Sequence, residues 1–574
     1  MDIKKPIPIG IESYKEIIDG GYYYVDKTLL IRDLLAQKSK VTLFTRPRRF
    51  GKTLAQNMLR TFFEKEVTAD GTVMDNSRYF AGKNIMDAGE RYVSHMGKYP
   101  VIFLSMKSAK QPDFETAYNL MLADIVTEFE RHSYLLGGDA LTPAQKKRYN
   151  AVLEHSAGLA EYTASLKFLS DCLEKYHHEK TIILIDEYDV PLENAYFKGF
   201  YDRMVGFIRS LLESVLKTND SLLFAVITGC LRISKESIFT GLNNFDVVSI
   251  LDENYAEYFG FIQCEVDSLL SFYDISQAGD DVKNWYNGYL FGDTEVYNPW
   301  SVINYAKDIV YHNTDFPKPY WSNTSSNSIV HEMVAEADSN TVQEIESLLT
   351  GDTIEKQIHE DITYNDIRQS KDNLWNFLFF TGYLKAVGRN FRSDIIYLEM
   401  KIPNREVRYI YNNTIQQWFR KKTDTMDFSV LYHAILSGDA ETAEGFLKKQ
   451  LRESISFMDS AENFYHGFLL GMLSGLQSYK KKSNLENGDG RYGIILMPYD
   501  EQRPAVILEL KRAKKFTEME KLCQEALGQI DEKHYDDGLI EEGYSQVLKY
   551  GICFCKKSCM VKISEKTDGR KRNY

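Results

Sequence analysis

Cysteine, proline and long apolar runs are all scarce in this 574-residue chain. Seven cysteines are too few for a disulfide-stapled secreted fold and suit a compartment where thiols stay reduced. Thirteen prolines, with 44% hydrophobic and 26% charged residues, argue against long disorder. No apolar run approaches the roughly 18 residues of a membrane span, and the N-terminus lacks the apolar core of a signal peptide. These absences predict a folded cytoplasmic protein without membrane contact.

The net charge of −13 would on average repel a phosphate backbone, so any nucleic-acid contact requires a local basic patch. The three clustered cysteines Cys553, Cys555 and Cys559 lie in a strand-like segment without a nearby fourth ligand. A metal cluster is one interpretation, but the pattern favours small buried side chains.

Length predicts about three or four compact units. Four apolar segments, VTLFT at 41–45, VIFLS at 101–105, TIILID at 181–186 and LLFAVITG at 222–229, have the character of buried parallel strands. Helical patterns separate them, so residues 1–250 are predicted to form an α/β doubly wound sheet. Residues 251–425 are predicted to be a mostly helical lid or linking region.

From residue 426 onward, helices precede a predicted hairpin of RYGIILM and AVILELK. A helix near 518–530 and strands near 550–563 follow. This order predicts a separate α/β/α unit at 426–565, and residues 566–574 are predicted to be a flexible tail.

The segment RPRRFGKT follows the first predicted strand and precedes a helix, as a phosphate-binding loop must. Gly51, Lys52 and Thr53 supply its ending: a helix N-terminus for the anion, a lysine for the terminal phosphates and a hydroxyl for Mg²⁺. Arg46 stands where the usual first glycine would be. The alternative without a binding function is a surface loop that contains a lysine.

Asp186 ends the third apolar strand and Glu187 follows it. We expect Asp186 to hold Mg²⁺ and Glu187 to polarise the attacking water, which predicts ATP hydrolysis. Thr228, at the end of the fourth strand, is either a phosphate sensor or a helix cap. Arg232 is either a charge-stabilising arginine or a surface salt bridge, and the same alternatives apply to Arg48 and Arg49.

Glu509 and Lys511 are two apart on a predicted strand and therefore share a face. A carboxylate that holds a metal beside a lysine that orients water suits attack on a phosphodiester, with Glu462 as a further metal ligand. Taken alone, this spacing is commoner on a solvated salt-bridging face.

Several segments together resemble one family, AAA-ATPase-like proteins with a fused PD-(D/E)xK nuclease domain, which are common in bacteria. The segments are IPIGIESYKEI, YYYVDKTLLI, FTRPRRFGKTL, IILIDEYDVPL, ITGCLRISKESIFTGLNNF, WYNGY, VYNPWSVINY, FTGYL and ILELK. The family's phosphate loop commonly has the form RPRRFGKT, so the resemblance accounts for Arg46. It implies ATP and Mg²⁺ as cofactors, with Lys52, Thr53, Asp186 and Glu187 as the nucleotide residues. Asp26 and Lys27 match a further motif whose role is open, and a helix cap is the simplest interpretation of Asp26.

The resemblance also implies a nuclease-type C-terminal domain, with Gln529 and Tyr535 on its later helix. The family usually has a metal-binding aspartate after GRY, but this sequence has Gly493. Glycine has no side-chain oxygen, and Asp489 lies outside the strand, so the ligands are too few for tight Mg²⁺ binding. We therefore predict an impaired nuclease.

Three hypotheses follow. The first is an ATP-hydrolysing switch or motor whose C-terminal domain engages nucleic acid. The second is an ATP-dependent regulatory protein whose nuclease-like domain is only a scaffold, and the third is a small-molecule kinase, which leaves the C-terminal residues without a role. A homo-oligomer is a further expectation. Arginines supplied by a neighbouring subunit are common in such ATPases, and the sequence does not identify one.

Overall fold

The computed structural model describes residues 4–232, 239, 245–314, 316–322, 330, 339–360, 364, 371–392, 395–423, 427–454, 462–485, 492–500, 502–533, 535–564 and 567–568. The chain divides into two compact units. The first comprises Met1–Ser325 and Glu355–Val407, and the second comprises Ser326–Ile354 and Arg408–Tyr574.

The strands are β1 (Val41–Thr45), β2 (Val101–Ser105), β3 (Thr181–Asp186), β4 (Leu222–Gly229), β5 (Phe245–Val248), β6 (Tyr289–Phe291), β7 (Thr294–Val296), β8 (Ile354–Gln357), β9 (Lys385–Arg392), β10 (Ile395–Lys401), β11 (Tyr479–Leu485), β12 (Tyr492–Pro498), β13 (Ala505–Arg512), β14 (Gln546–Cys555), β15 (Ser558–Ile563) and β16 (Thr567–Asp568).

The α-helices are α1 (Tyr14–Asp19), α2 (Leu29–Gln37), α3 (Lys52–Phe63), α4 (Glu90–Val93), α5 (Phe114–Arg131), α6 (Pro143–Leu153), α7 (Leu159–Thr163), α8 (Ser165–His177), α9 (Val190–Lys198), α10 (Tyr201–Leu216), α11 (Gln263–Phe272), α12 (Gly279–Tyr286), α13 (Pro299–His312), α14 (Ser339–Thr350), α15 (Lys371–Phe380), α16 (Arg405–Thr423), α17 (Ser429–Ser437), α18 (Ala440–Ser454), α19 (Glu462–Met472), α20 (Met519–Glu532) and α21 (Tyr535–Glu541).

The first unit is built on a five-stranded parallel sheet with the order β2-β3-β4-β1-β5. Strands β1 to β4 coincide with the four predicted apolar segments, and every residue of β1 and β3 is buried. Strands covered on both faces must be apolar throughout, which is why the sequence revealed them. The predicted α/β class is confirmed, and the loops that follow β1, β3 and β4 meet at one edge of this sheet.

Helices α11, α12 and α13 form a small cluster whose core also includes residues of the N-terminal segment. Ile7 shares this core with Phe261, Val266, Tyr286 and Val302. The region predicted to be mostly helical also holds an antiparallel hairpin, β6–β7, and an antiparallel sheet of order β8-β10-β9. The residues of β9 are half-buried or exposed, so the strand lacks the apolar pattern that would have predicted it.

The second unit contains a mixed sheet of order β11-β12-β13-β14-β15, with β16 paired to β14. The predicted hairpin is confirmed, because β12 and β13 pair antiparallel. Helices α17, α18 and α19 contribute to the core on one face, and α20 and α21 contribute to the core on the other. The order of elements and the two covered faces match the predicted α/β/α arrangement.

All seven cysteines are free thiols, and Cys553, Cys555 and Cys559 are buried as predicted. Within the described residues, no group of three or more His, Cys, Asp or Glu side chains is placed to hold a metal ion. No helix in the described part of the chain combines the length and apolar character of a membrane span.

Candidate functional site

The loop between β1 and α3 encloses the ammonium group of Lys52, whose side chain is buried. Its Nζ donates hydrogen bonds to the backbone oxygens of Arg46 and Pro47, each at 2.9 Å. Gly51 has a φ of +83°, in the left-handed region that glycine adopts without strain, and it turns the chain into α3. The first N–H groups of a helix lack intrahelical partners and are suited to an anion. The loop therefore connects a buried strand to a helix N-terminus, which is the strand–loop–helix order expected from the sequence.

Arg46, in the position of the usual first glycine, points into the protein and is fully buried. Its Nη1 donates to the backbone oxygens of Thr45 at 3.0 Å and Val248 at 2.9 Å. The guanidinium carbon lies 4.9 Å from the centroid of the Phe291 ring, and burial lowers the pKa of Arg46 to about 9. The loop is thus anchored to the end of β5 by a buried side chain.

Asp186 is the centre of a hydrogen-bonded group formed from three elements. Its carboxylate is fully buried and accepts hydrogen bonds from Thr53 Oγ1 at 2.8 Å and Thr228 Oγ1 at 2.5 Å. Burial and the neighbouring Glu187 carboxylate raise the pKa of Asp186, while the two hydroxyls oppose the rise. The predicted residues from α3, β3 and β4 are therefore brought together, and their hydroxyl and carboxylate oxygens are ligands that Mg²⁺ prefers.

Glu187 follows β3 with a φ of +53°, a left-handed conformation uncommon outside glycine. Its backbone N–H donates to Thr228 Oγ1 at 3.4 Å. Strained residues of this kind occur often at functional sites.

Asp189 was not singled out from the sequence, although it lies in the same IDEYD segment. It is buried and accepts the backbone N–H groups of Cys230 at 2.7 Å and Leu231 at 3.1 Å. Burial raises the pKa of Asp189 to about 6. The carboxylate fixes the turn that follows β4, and the Cys230 sulfur in that turn lies 3.7 Å from Lys52 Nζ.

A cavity of about 300 Å³ lies beside these groups. Its wall includes Lys52 and Thr53 of α3, Glu187, Lys110 in the turn after β2, and Trp300 in the first turn of α13. The N-terminal segment closes another side. The predicted phosphate loop and the predicted catalytic carboxylate thus face one space.

A second, mostly apolar cavity of about 100 Å³ shares Gly51 and Leu54 with the first. The residues Tyr23, Val25, Met58 and Phe261 also contribute to its wall. The side chains that line this second cavity are therefore predominantly apolar or aromatic.

The three arginines that the sequence suggested as charge-stabilising residues or salt-bridge partners have different surroundings. Arg48 forms an ion pair with Glu193, in line with the salt-bridge alternative. Arg49 stacks on Trp300, with 4.5 Å between the guanidinium carbon and the ring centroid. Arg232 lies 4.0 Å from Glu360 and does not contribute to the described wall of either cavity.

Asp26 does not occupy the N-cap position of α2 that the sequence suggested for it, because the N-cap residue is Thr28. Asp26 Oδ1 instead accepts Thr28 N–H at 2.9 Å, and Oδ2 accepts the backbone N–H of Asn84 at 2.8 Å. Lys27 Nζ contacts both oxygens of Glu265 at 2.5 and 2.6 Å. These contacts give the motif a structural role, which is to tie the N-terminal segment to α11 and to the loop at Asn84.

In the second unit, Glu509 and Lys511 lie on β13 and face α20. Glu509 is buried, and Lys511 Nζ donates to Gln529 Oε1 at 2.5 Å. Gln529 lies on α20, the later helix on which the resemblance places it. Glu509 pairs in register with Gly493 on β12.

The space beside Gly493 is narrow, because a Cβ atom at this position would lie 3.0 Å from Glu509 Oε2. His466 of α19 is buried nearby, where burial lowers its pKa and a hydrogen bond with the Gly493 backbone opposes the change. The side chains of Glu462 and Tyr535 lie outside the described residues, as does Asp489.

Comparison with known proteins agrees with this division of the chain. The model of a family described as a predicted AAA-ATPase matches residues 8–239, and a model of the PD-(D/E)XK nuclease superfamily matches residues 460–564. The chain therefore combines an AAA-ATPase-like domain with a C-terminal domain of the PD-(D/E)XK nuclease superfamily.

The chain is also similar to a protein of Azotobacter chroococcum mcd 1 described as an uncharacterized protein in the vnfD 5′ region. The two are 27% identical over 337 residues. The match spans 58% of this chain and 57% of that relative.

Proposed function

We propose that the AAA-ATPase-like domain binds ATP with Mg²⁺ and hydrolyses it to ADP and phosphate. The observation that carries this proposal is the hydrogen-bonded group of Thr53, Asp186 and Thr228 beside a cavity of about 300 Å³, whose wall also includes Lys52 and Glu187. A lysine, a hydroxyl and two carboxylates at the C-terminal edge of a parallel sheet are the parts that phosphoryl transfer from a nucleotide requires.

Each residue has a separate task. Lys52 and the N-terminus of α3 bind the phosphates, and Glu187 orients the attacking water and accepts its proton. Thr53 and Asp186 would hold Mg²⁺, and their oxygens, 2.8 Å apart, fit a hard cation. When bound, Mg²⁺ neutralises charge on the phosphate oxygens. Thr228 fixes Asp186 and contacts the Glu187 backbone, so it links the metal ligand to the base.

The apolar cavity supports a nucleotide rather than free phosphate. Both cavities are lined by Gly51 and Leu54, so they adjoin each other at the start of α3. ATP could therefore place its phosphates in the polar cavity and its base in the apolar cavity. A base there would pack on side chains such as Met58 and Phe261.

Phosphate release should be compared among the wild type, Lys52→Ala and Glu187→Gln. We expect both substitutions to abolish most turnover. Glu187→Gln should still bind ATP, because it keeps the shape of the side chain and removes only the base. Wild-type turnover in both variants would contradict the assignment.

We further propose that the C-terminal domain engages nucleic acid but cuts it weakly or not at all. Lys480 and Lys482 on the edge strand β11 are exposed. The register pairs Lys482 with Ile495, which in turn pairs with Ile507, so both lysines share the face of Glu509. This local positive charge supports contact with a phosphate backbone despite the acidic chain.

Gly493 supports the weak-cleavage part of the proposal. Glycine contributes no carboxylate opposite Glu509 on β12, and a Cβ atom at position 493 would lie 3.0 Å from Glu509 Oε2. The same observation favours a second candidate function, an ATP-dependent regulatory protein whose nuclease-like domain serves as a scaffold.

Gly493→Asp tests this part. Two adjacent carboxylates repel unless a cation bridges them, so Mg²⁺ should raise the thermal midpoint of the variant more than that of the wild type. Magnesium-dependent cleavage of plasmid or single-stranded DNA should appear in Gly493→Asp and disappear when Lys511→Ala is added. Equal cleavage by wild type and Gly493→Asp would contradict an impaired site, and DNA binding without cleavage in either would favour the scaffold.

A further inference from the structure

The wall of the polar cavity contains five basic residues: Arg48, Arg49, Lys52, Lys107 and Lys110. Three of these side chains have hydrogen-bond or ion-pair partners. Arg48 pairs with Glu193, Lys107 pairs with Glu12, and Lys52 donates to two backbone oxygens.

Arg49 and Lys110 differ from these three. Both contribute to the cavity wall and both are exposed. In the part of the chain that the structure describes, neither forms an ion pair with a carboxylate. Arg49 instead stacks on Trp300, and its φ of +70° is a left-handed conformation that bulky residues rarely adopt. Such strain at a cavity wall is typical of a side chain held for a ligand.

Lys110 reaches the same cavity from another direction. It follows β2, whose last residue, Ser105, pairs in register with Asp186 at the end of β3. The turn that carries Lys110 therefore lies at the edge of the sheet where Asp186 and Glu187 are placed. Arg49 comes from the phosphate loop, so the two cations approach the cavity from the loops after β1 and β2.

We propose that Arg49 and Lys110 bind the terminal phosphate of the nucleotide and supply, within one chain, the positive charge that stabilises the transition state. This inference rests on the proposed ATPase function and deepens it. A triphosphate carries more negative charge than Lys52 and one divalent cation neutralise, so two cations without carboxylate partners at its terminal end have a defined use. Turnover then needs no arginine from a neighbouring subunit.

Hydrolysis then proceeds by in-line attack of water on the γ-phosphate. The water oxygen forms a bond to the γ-phosphorus, and a water proton goes to the Glu187 carboxylate. The bond from the γ-phosphorus to the β–γ bridging oxygen breaks, and that oxygen keeps the electron pair as ADP leaves. Arg49 and Lys110 offset the charge on the remaining γ-oxygens and take no part in proton transfer.

The full-length chain with Arg49→Ala, Lys110→Ala or both tests the inference. Arg203→Ala is the matched control, because this exposed arginine also stacks on a ring, that of Phe114, but lies outside both cavity walls. Fluorescent ATP and ADP analogues measure affinity, and phosphate release at saturating ATP measures kcat over a wide range of protein concentration.

We expect each single substitution to lower kcat by roughly 10²- to 10³-fold. ATP affinity should fall more than ADP affinity, because only ATP has the terminal phosphate. Arg49→Lys should retain part of the activity, and specific activity should not change with wild-type concentration.

Two results would overturn the inference. One is wild-type turnover and an unchanged ratio of ATP to ADP affinity in both alanine variants. The other is specific activity that rises with protein concentration, since it would indicate a residue supplied by a second subunit. A wild type that neither binds nor hydrolyses ATP would instead remove the proposed function, and this inference with it.

Discussion

Replacing Glu406 with glutamine is expected to remove a pH dependence from the stability of the first unit. Glu406 is fully buried and accepts the backbone N–H of Trp321 at 2.8 Å and the hydroxyl of Ser301 at 2.9 Å. Ser301 lies in α13, whose first turn contributes Trp300 to the cavity wall. Burial, opposed by these hydrogen bonds, raises the pKa of Glu406 from 4.5 to about 8.

The direction and the size of the pH dependence of stability follow from the raised pKa of Glu406. Between pH 4.5 and about 8, the folded chain holds a proton that the unfolded chain has released. Stability is therefore greatest below the lower value and falls as the pH rises to the higher one. From about pH 5.5 to about pH 8, this one group lowers the free energy of unfolding by about 3 kcal/mol.

Glutamine imitates the protonated side chain, because its amide can accept the Trp321 N–H and donate to the Ser301 hydroxyl. Urea unfolding followed by tryptophan fluorescence at both pH values measures the effect in the wild type, Glu406→Gln and a control, Glu130→Gln, at an exposed position on α5. The difference in the free energy of unfolding between Glu406→Gln and the wild type should shift in favour of the variant by about 3 kcal/mol from about pH 5.5 to about pH 8. A wild-type pH dependence that glutamine at 406 leaves unchanged would refute the reasoning.

Two further predictions concern the two candidate sites. Asp189→Ala should lower the free energy of unfolding by roughly 2–3 kcal/mol, because two buried N–H groups lose their acceptor, whereas Asp189→Asn keeps an acceptor oxygen and should lower it less; chemical denaturation measures both. Replacing Lys480 and Lys482 with alanine should weaken DNA binding at all sequences and reduce the slope of log affinity against log salt by about 1–2, as measured by fluorescence anisotropy over a salt series.

Each of these predictions has its own control. Equal stability of Asp189→Ala and wild type would show that the turn after β4 does not depend on this carboxylate. For DNA binding, Lys448→Ala is the control, because α18 covers the opposite face of the sheet and Lys448 pairs with Glu444. An equal loss of affinity in that variant would show that the face of Glu509 has no special part in binding.

The sequence predicted the elements whose burial leaves a pattern. Strands β1 to β4 are covered on both faces and are therefore apolar along their length. The first and last residues of these strands equal the bounds predicted from the apolar segments. Strand β11 contains three successive lysines and β9 is half-exposed, so neither carries such a pattern.

The candidate nucleotide site divides in the same way. The sequence predicted both Thr53 and Asp186 as magnesium ligands, because one ends the phosphate-loop motif and the other ends an apolar strand. The order of the strands then brings Thr53 Oγ1 to 2.8 Å from Asp186 Oδ2. The buried Arg46 and the carboxylates of Asp189 and Glu406 depend on which distant segments cover them. Covering by distant segments is a tertiary property that composition and local spacing do not encode.

The most direct test of the central claim is a crystal structure of the Glu187→Gln variant with ATP and Mg²⁺. We expect the terminal phosphates at Lys52, the metal at Thr53 and Asp186, and the base in the apolar cavity beside Met58. Nucleotide bound elsewhere, or a cavity that stays closed to nucleotide at saturating ATP, would show that these residues do not form the ATP site.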